Sequence, residues 1–241
     1  MEPIRRSETL YEQVLDTVRS AIVDGTIPPG TVLSAAEIAS RLDVSRSPAR
    51  EAILQLQNEG LVTVLPRRGA VVLEGGWTDI EDIFGFREPL EGMAAALAAE
   101  RIDDATLQEL VDAFTAHSEA VMSGDLDRHL ELDERFHTLF IQASGNERII
   151  ESLRTVRAQL RVMTRRLSAE PGAMDDRIIG AHRAILEAIR DGDRRTAERV
   201  SRSHVRGVLA FYREHIPSAA VPRPSRGRGT PAAKPPTTLT P

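Results

Sequence analysis

The sequence predicts a mainly α protein in two parts: a small domain of three helices closed by a β-hairpin, then an all-α antiparallel bundle of six helices. Three observations carry this. Apolar residues recur at helical steps through most of the chain. Two β-rich runs, LVTVL (Leu61 to Leu65) and AVVLE (Ala70 to Glu74), flank a PRRG turn. After residue 76, breaks made of Gly, Asp, Asn and Ser recur at short intervals.

The first helix opens on a capping box, Thr9 with Glu12, and continues through Leu10, Val14, Val18 and Ile22. Gly25 ends it, and GTIPPG makes a turn. SAAE, Ser34 to Glu37, opens a short second helix that runs through Leu42. After DVS, a third helix runs from about Ser45 to Asn58, with Pro48 in its first turn and Gly60 as its stop. The hairpin follows, Arg67 and Arg68 at its tip, and Gly75–Gly76 read as a hinge. The first domain is therefore residues 1–76. From Trp77 to Ile216, breaks at Asp103–Asp104, Ser123–Asp125, Ser144–Asn146, Glu170–Gly172 and Asp191–Asp193 delimit six helices, and the second domain is 77–216. Residues 217–241 are rich in proline, hold no acid, and are expected to be disordered.

Composition excludes several classes. Without cysteine there is no disulfide, thiolate nucleophile or sulfur-bound zinc. No apolar run is long enough to span a bilayer and the N-terminus lacks a signal-peptide core, so the expectation is a cytoplasmic protein with no membrane partner. A net charge of −5 argues against a uniformly basic coat, but DNA binding needs only one basic face.

Two short helices with a tight turn, then a hairpin, make a winged helix-turn-helix. In SRSPAREAILQLQ, Ala49, Ile53 and Leu56 form the buried row, and Arg46, Arg50 and Gln57 share an adjoining face. Arg46 and Arg50 lie in the half that enters a major groove, where a guanidinium can donate two hydrogen bonds to guanine. Ser45 and Ser47 serve as caps first and phosphate contacts second. Arg67 and Arg68 could reach a phosphate or the minor groove, with Gly69 allowing close backbone approach. Each feature alone also fits a solvated helix face; in this order and spacing they favour DNA. The stretch from Gly25 to Val72 resembles the DNA-binding domain of GntR-family bacterial transcription regulators, with PPG, VSRSPAREAI, EGLV and RRG in order. The resemblance implies that Arg46 and Arg50 read bases and that Ser47, Pro48 and Gly69 lie close to DNA. It further implies a homodimer on a palindromic double-stranded operator.

The second domain carries polar residues on apolar stripes. Leu126, Leu130, Asp133, His137 and Phe140 step by four, three, four and three. Ile178, His182, Ile185 and Ile189 do likewise, as do Val200, His204, Val208 and Phe211. One carboxylate and three imidazoles on inward stripes can converge, and Asp133 and His137 stand one turn apart, a chelating spacing. The set suits a divalent metal such as zinc, nickel or manganese; a metal-free polar pocket is the alternative. His117 shares a stripe with Leu110 and Phe114 but has no chelating neighbour, and reads as core; His129 and His215 read as exposed. Arg87 lies on the stripe Ile80, Phe84, Leu90 and Ala94, and a buried guanidinium needs an anion. That anion is either Glu91 or the carboxylate of a small effector. Asn146 caps NERIIESL or offers its amide to the effector.

Phe86 to Arg101, Leu132 to His137, Ala143 to Asn146, Ala181 to Asp193 and Ser203 to Val205 resemble the effector (FCD) domain of the FadR subfamily, in its six-helix VanR-like branch. The resemblance implies metal at Asp133, His137, His182 and His204, organic or sugar acids as effectors, and effector contact by Arg87. The expected function is a ligand-responsive transcription regulator, a repressor and not an enzyme. A metal-dependent all-α hydrolase fused to a DNA-binding domain is the alternative. Against it, no general base shares the inward face of the ligands, Glu134 being expected to point elsewhere.

Overall fold

The computed structural model describes residues 9–66, 69–164 and 176–215. Arg67, Arg68 and the 217–241 tail lie outside them, as does the side chain of His215.

Helix α1 (Leu10–Val23) starts at the expected capping box: the Thr9 side chain accepts from the Glu12 amide, and the Glu12 carboxylate accepts from the Thr9 amide. Val14, Leu15, Val18 and Ile22 are buried, while Leu10 stands outside the stripe, half exposed. Helices α2 (Ala35–Arg41) and α3 (Arg46–Asn58) follow, the Ser34 side chain capping α2 by accepting from the Glu37 amide. Ala49, Ala52, Ile53 and Leu56 form the inner face of α3. Ser45 stands at the N-cap of α3 but makes no side-chain capping bond.

The wing has a strand that the sequence did not announce. β1 (Val32–Leu33) pairs with β3 (Gly69–Val72), which pairs with β2 (Val62–Leu65), all antiparallel in the order β1-β3-β2. Gly69 is needed by this sheet: its φ is +92°, and a Cβ there would lie 2.4 Å from the Leu33 carbonyl oxygen. The close approach at Gly69 is thus to β1.

The bundle consists of α4 (Trp77–Arg101), α5 (Asp104–Ser123), α6 (Leu126–Ala143), α7 (Glu147–Thr164), α8 (Asp176–Arg190) and α9 (Arg194–His215). Central α4 packs most extensively on α9 and also touches α6, α7 and α8. Ala94, Ala95 and Ala98 are fully buried and let neighbours approach closely, while Phe136, Phe140, Leu153, Ile185 and Ile189 fill the core. Among the described residues no helix is long and apolar enough to cross a membrane.

The expected Gly75–Gly76 hinge is a packed corner. Gly75 has φ +64°, and a Cβ there would meet Met163 of α7 at 2.5 Å; the Gly76 amide donates to Asp79 Oδ2 at 2.7 Å. Val162 of α7, 3% exposed, belongs to the core of the small domain, with Ala158 packed beside it. Gln159 Nε2 donates to the Glu59 carbonyl at 2.7 Å, and Glu59 in turn binds Arg19 of α1. Helix α7 therefore serves both domains.

Candidate functional site

The four polar residues of the inward stripes do meet. α6 supplies Asp133 and His137, α8 supplies His182, and α9 supplies His204. His182 Nε2 is 3.3 Å from His204 Nε2 and 3.6 Å from Asp133 Oδ1, and His137 Nε2 is 3.9 Å from Asp133 Oδ1. The three imidazoles are buried, whereas the Asp133 side chain is 31% exposed and faces a cavity. A tetrahedral ion with bonds of about 2.1 Å spaces its ligand atoms about 3.4 Å apart. The donor atoms of His137, His182 and His204 all lie within 4.8 Å of one another, Asp133 Oδ1 stands beside two of these residues, and the N/O donor set suits one borderline divalent cation.

Electrostatics favour the ligating forms. Burial, reinforced by His137, pushes His204 down to about 3. Burial and then His204 hold His182 well below the usual imidazole value. A neutral imidazole is the form that binds metal. Burial opposes ionisation of Asp133, but His137, His182 and Arg157 outweigh it and keep the carboxyl well below its ordinary range.

Behind the ligands lies a charged brace. Glu91, fully buried, accepts from Arg87 Nε at 2.7 Å and from Arg157 Nη1 at 3.3 Å. His137 Nδ1 is 3.2 Å from Glu91 Oε2, although the two are not aligned as a hydrogen bond and neither finds another partner. A small ring rotation would pair them and leave His137 Nε2 facing the ligand group. Arg157 also donates to Glu134, at 2.8 Å from Nη2, and lies 3.9 Å from Asp133.

Three expectations are corrected here. Glu134 does not point elsewhere: it lines the cavity, and burial being outweighed by Arg157, its carboxyl is held down. His129 is buried, not exposed, because it packs under α5 against His117, with His117 Nε2 and His129 Nδ1 2.8 Å apart. His117 also has a neighbour after all, its Nδ1 being 3.3 Å from His182 Nδ1. Arg157 was missed, yet it sits four residues after buried Leu153 on one stripe of α7, a signal of the same kind that marked Arg87.

The cavity is about 530 Å³ and lies among α4, α6, α7, α8 and α9. Arg87, Arg157, Arg161, Arg177 and Arg199 line it, with Asp133, Glu134 and Glu214. The Arg87 guanidinium rests on the Phe84 ring, 4.9 Å from its centroid, with Nε held by Glu91. Among the described residues its terminal nitrogens have no partner, and Arg161 and Arg199 have no ion pair. Asn146 is not in the cavity wall: its Oδ1 accepts from the Arg148 and Ile149 amides and caps α7.

In the small domain, Arg46, Ser47 and Arg50 are exposed at the start of α3, and Pro48 is partly buried in its first turn. Ser47 Oγ donates to Glu51 at 3.0 Å. Neither Arg46 nor Arg50 has an ion pair among the described residues, whereas neighbouring Arg41 is held by Glu37 at 2.9 Å.

The model of the FCD domain matches residues 82–207, and that of bacterial regulatory proteins of the gntR family matches residues 10–72. Over 204 residues the chain is 31% identical to an uncharacterized HTH-type transcriptional regulator in an unstable DNA locus of Streptomyces ambofaciens, spanning 83% of this chain and 85% of the relative. It is 26% identical over 208 residues to the HTH-type transcriptional repressor RspR of Escherichia coli strain K12, spanning 86% and 91%. Among solved structures, Escherichia coli McbR/YncC shares the fold with a TM-score of 0.73 at 22% identity, over 86% of this chain and 99% of that one.

Proposed function

Since the chain belongs to the GntR family of bacterial regulatory proteins, with an FCD domain behind its winged helix, we propose that it is a repressor whose grip on a palindromic operator is set by a small organic or sugar acid. The relatives matched are transcription regulators, which removes the hydrolase alternative.

The convergence of His137, His182 and His204, with Asp133 beside His137 and His182, behind an arginine-lined cavity whose wall includes Asp133, His137 and His204 carries the reading. These four residues would hold one divalent ion, zinc, nickel or manganese, which supplies a Lewis-acid anchor for a ligand oxygen. Around it the chain's own residues do the selecting. The free end of Arg87, with Arg161 and Arg199, would receive an anionic group by charge-assisted hydrogen bonds. The buried Glu91 keeps Arg87 aimed into the cavity.

On the DNA side, Arg46 and Arg50 would read base edges, Ser47, Pro48 and Gly69 would lie against the backbone, and Arg67 and Arg68 of the wing would reach phosphate or the minor groove. A second copy of the chain would place two recognition helices on one operator. Phe86 and Met93, 46% and 50% exposed and seven residues apart on α4, offer that copy an apolar contact.

The route between the sites would be α7. Arg157 on one face touches Glu91, Glu134 and Asp133, while Gln159 and Val162 on the other grip the winged domain. An acid that rearranges the carboxylates around Arg157 would shift α7 against Glu59 and re-aim α3. Metal analysis tests the foundation: protein prepared without chelator should carry close to one divalent ion per chain, and His182→Ala and His204→Ala should each lose it. A wild type that stays metal-free and whose melt ignores added zinc, nickel or manganese would reduce the site to a polar pocket.

A further inference from the structure

Resting on the reading of Asp133, His137, His182 and His204 as ligands, we infer that His117 and His129 are positioning residues that fix the tautomer of His182. Four imidazoles stand in a row. His204 Nε2 faces His182 Nε2 at 3.3 Å, His182 Nδ1 faces His117 Nδ1 at 3.3 Å, and His117 Nε2 faces His129 Nδ1 at 2.8 Å. A neutral imidazole has one N–H and one lone pair, so each contact needs a donor on one side and an acceptor on the other.

Only one direction through the row serves the ligand site. If His182 Nε2 keeps its lone pair for an ion, Nδ1 carries the proton and donates to His117 Nδ1. His117 then carries its proton on Nε2 and donates to His129 Nδ1. His129 is left with its proton on Nε2, and His129 forms part of the cavity wall. The two contacts behind His182 are then satisfied, and neither His117 nor His129 has an orphaned buried nitrogen; between His182 Nε2 and His204 Nε2 the ion would take the place of a proton. The reverse direction would put a proton on His182 Nε2, among the ligand atoms. Phe136 stacks on His182, centroids 4.6 Å apart at 22°, and holds the ring plane in which this works. His182 thus has two imidazoles behind it where His137 has Glu91, the arrangement by which an outer partner orients a metal-binding histidine.

His117 could be core packing only, or it could join Asp133 and His182 around an ion of their own, since their donor atoms also lie within 4.8 Å of one another. The experiment uses the full chain. Long-range nitrogen–proton NMR of the metal-free wild type should show His182 protonated on Nδ1 and His117 on Nε2. Zinc titrated against a competing chelator should then bind the wild type once per chain. His117→Phe and His129→Phe should each weaken zinc about 10- to 100-fold, and His117→Gln, which can accept from His182 and donate to His129, should recover part of the loss. A proton on His182 Nε2 in the wild type, zinc affinity unchanged in both Phe variants, or a second zinc lost in His117→Phe would each overturn the inference. A wild type that binds no zinc would sink the underlying four-ligand reading, and the NMR tautomers would still decide the order of the relay.

Discussion

Replacing Arg157 by Met would test the charged brace behind the cavity. The guanidinium is 7% exposed and bonds Glu134 at 2.8 Å and Glu91 at 3.3 Å, with Asp133 at 3.9 Å. Removing one member of a buried ion pair typically costs about 3–5 kcal/mol, because the other charge is left uncompensated. Here Glu91 would keep Arg87, and Glu134 is 34% exposed, so water would screen part of its loss. The low end applies, about 3 kcal/mol, which for a chain of this size lowers the melting temperature by about 6–12 °C. The assay is thermal unfolding of metal-free protein followed by circular dichroism. Arg157→Met/Glu134→Gln should recover part of the loss, since one stranded charge is gone. If Arg157→Met melts within about 2 °C of wild type, Arg157 is a solvated side chain and α7 is not braced from the cavity side.

Arg46→Ala and Arg50→Ala should each cut specific operator binding about 5- to 150-fold while leaving non-specific binding nearly unchanged; footprints of unchanged affinity for both would remove α3 as the reader. Acid should destabilise the metal-free bundle earlier than carboxylate titration alone predicts. His117 is pushed down to about 4 and His204 to about 3, burial being the first cause of each. The unfolded chain therefore takes up protons near pH 6.5 while the folded chain does not, so stability is complete above that pH and is lost as pH falls towards the folded values. Each such histidine contributes about 1.4 kcal/mol per pH unit within that window, and a urea midpoint that is flat from pH 6.5 to about 4.5 would contradict their burial in the neutral form.

Much of the fold was legible because it is written in local periodicity. Capping residues, glycine stops and apolar steps mark α1 to α9 without any long-range knowledge. β1 escaped because two residues show no alternation and its pairing with Val71 and Ala70 is made far along the chain. In the site, Asp133, His137, His182 and His204 were readable as polar interruptions of apolar stripes. His117 interrupts such a stripe too, but its partners lie 12 and 65 residues away, and nothing local foretells that they arrive. Arg87 and Glu91 were readable as a pair one turn apart. The double duty of α7 was not, since Ala158, Gln159 and Val162 show their value only once the winged domain packs on them.

The proposed regulation requires that an acid in the cavity and operator DNA on α3 be coupled through α7. An acid selected by thermal shift from a panel of small organic and sugar acids would be titrated into the protein alone and into the protein–operator complex. Coupling is reciprocal, so the operator must change acid affinity by the same factor by which the acid changes operator affinity. Both titrations should change by the same factor, and the change should collapse towards none in Gln159→Leu, where the bond to the Glu59 carbonyl is gone. Equal acid affinity with and without operator in the wild type would contradict this coupling.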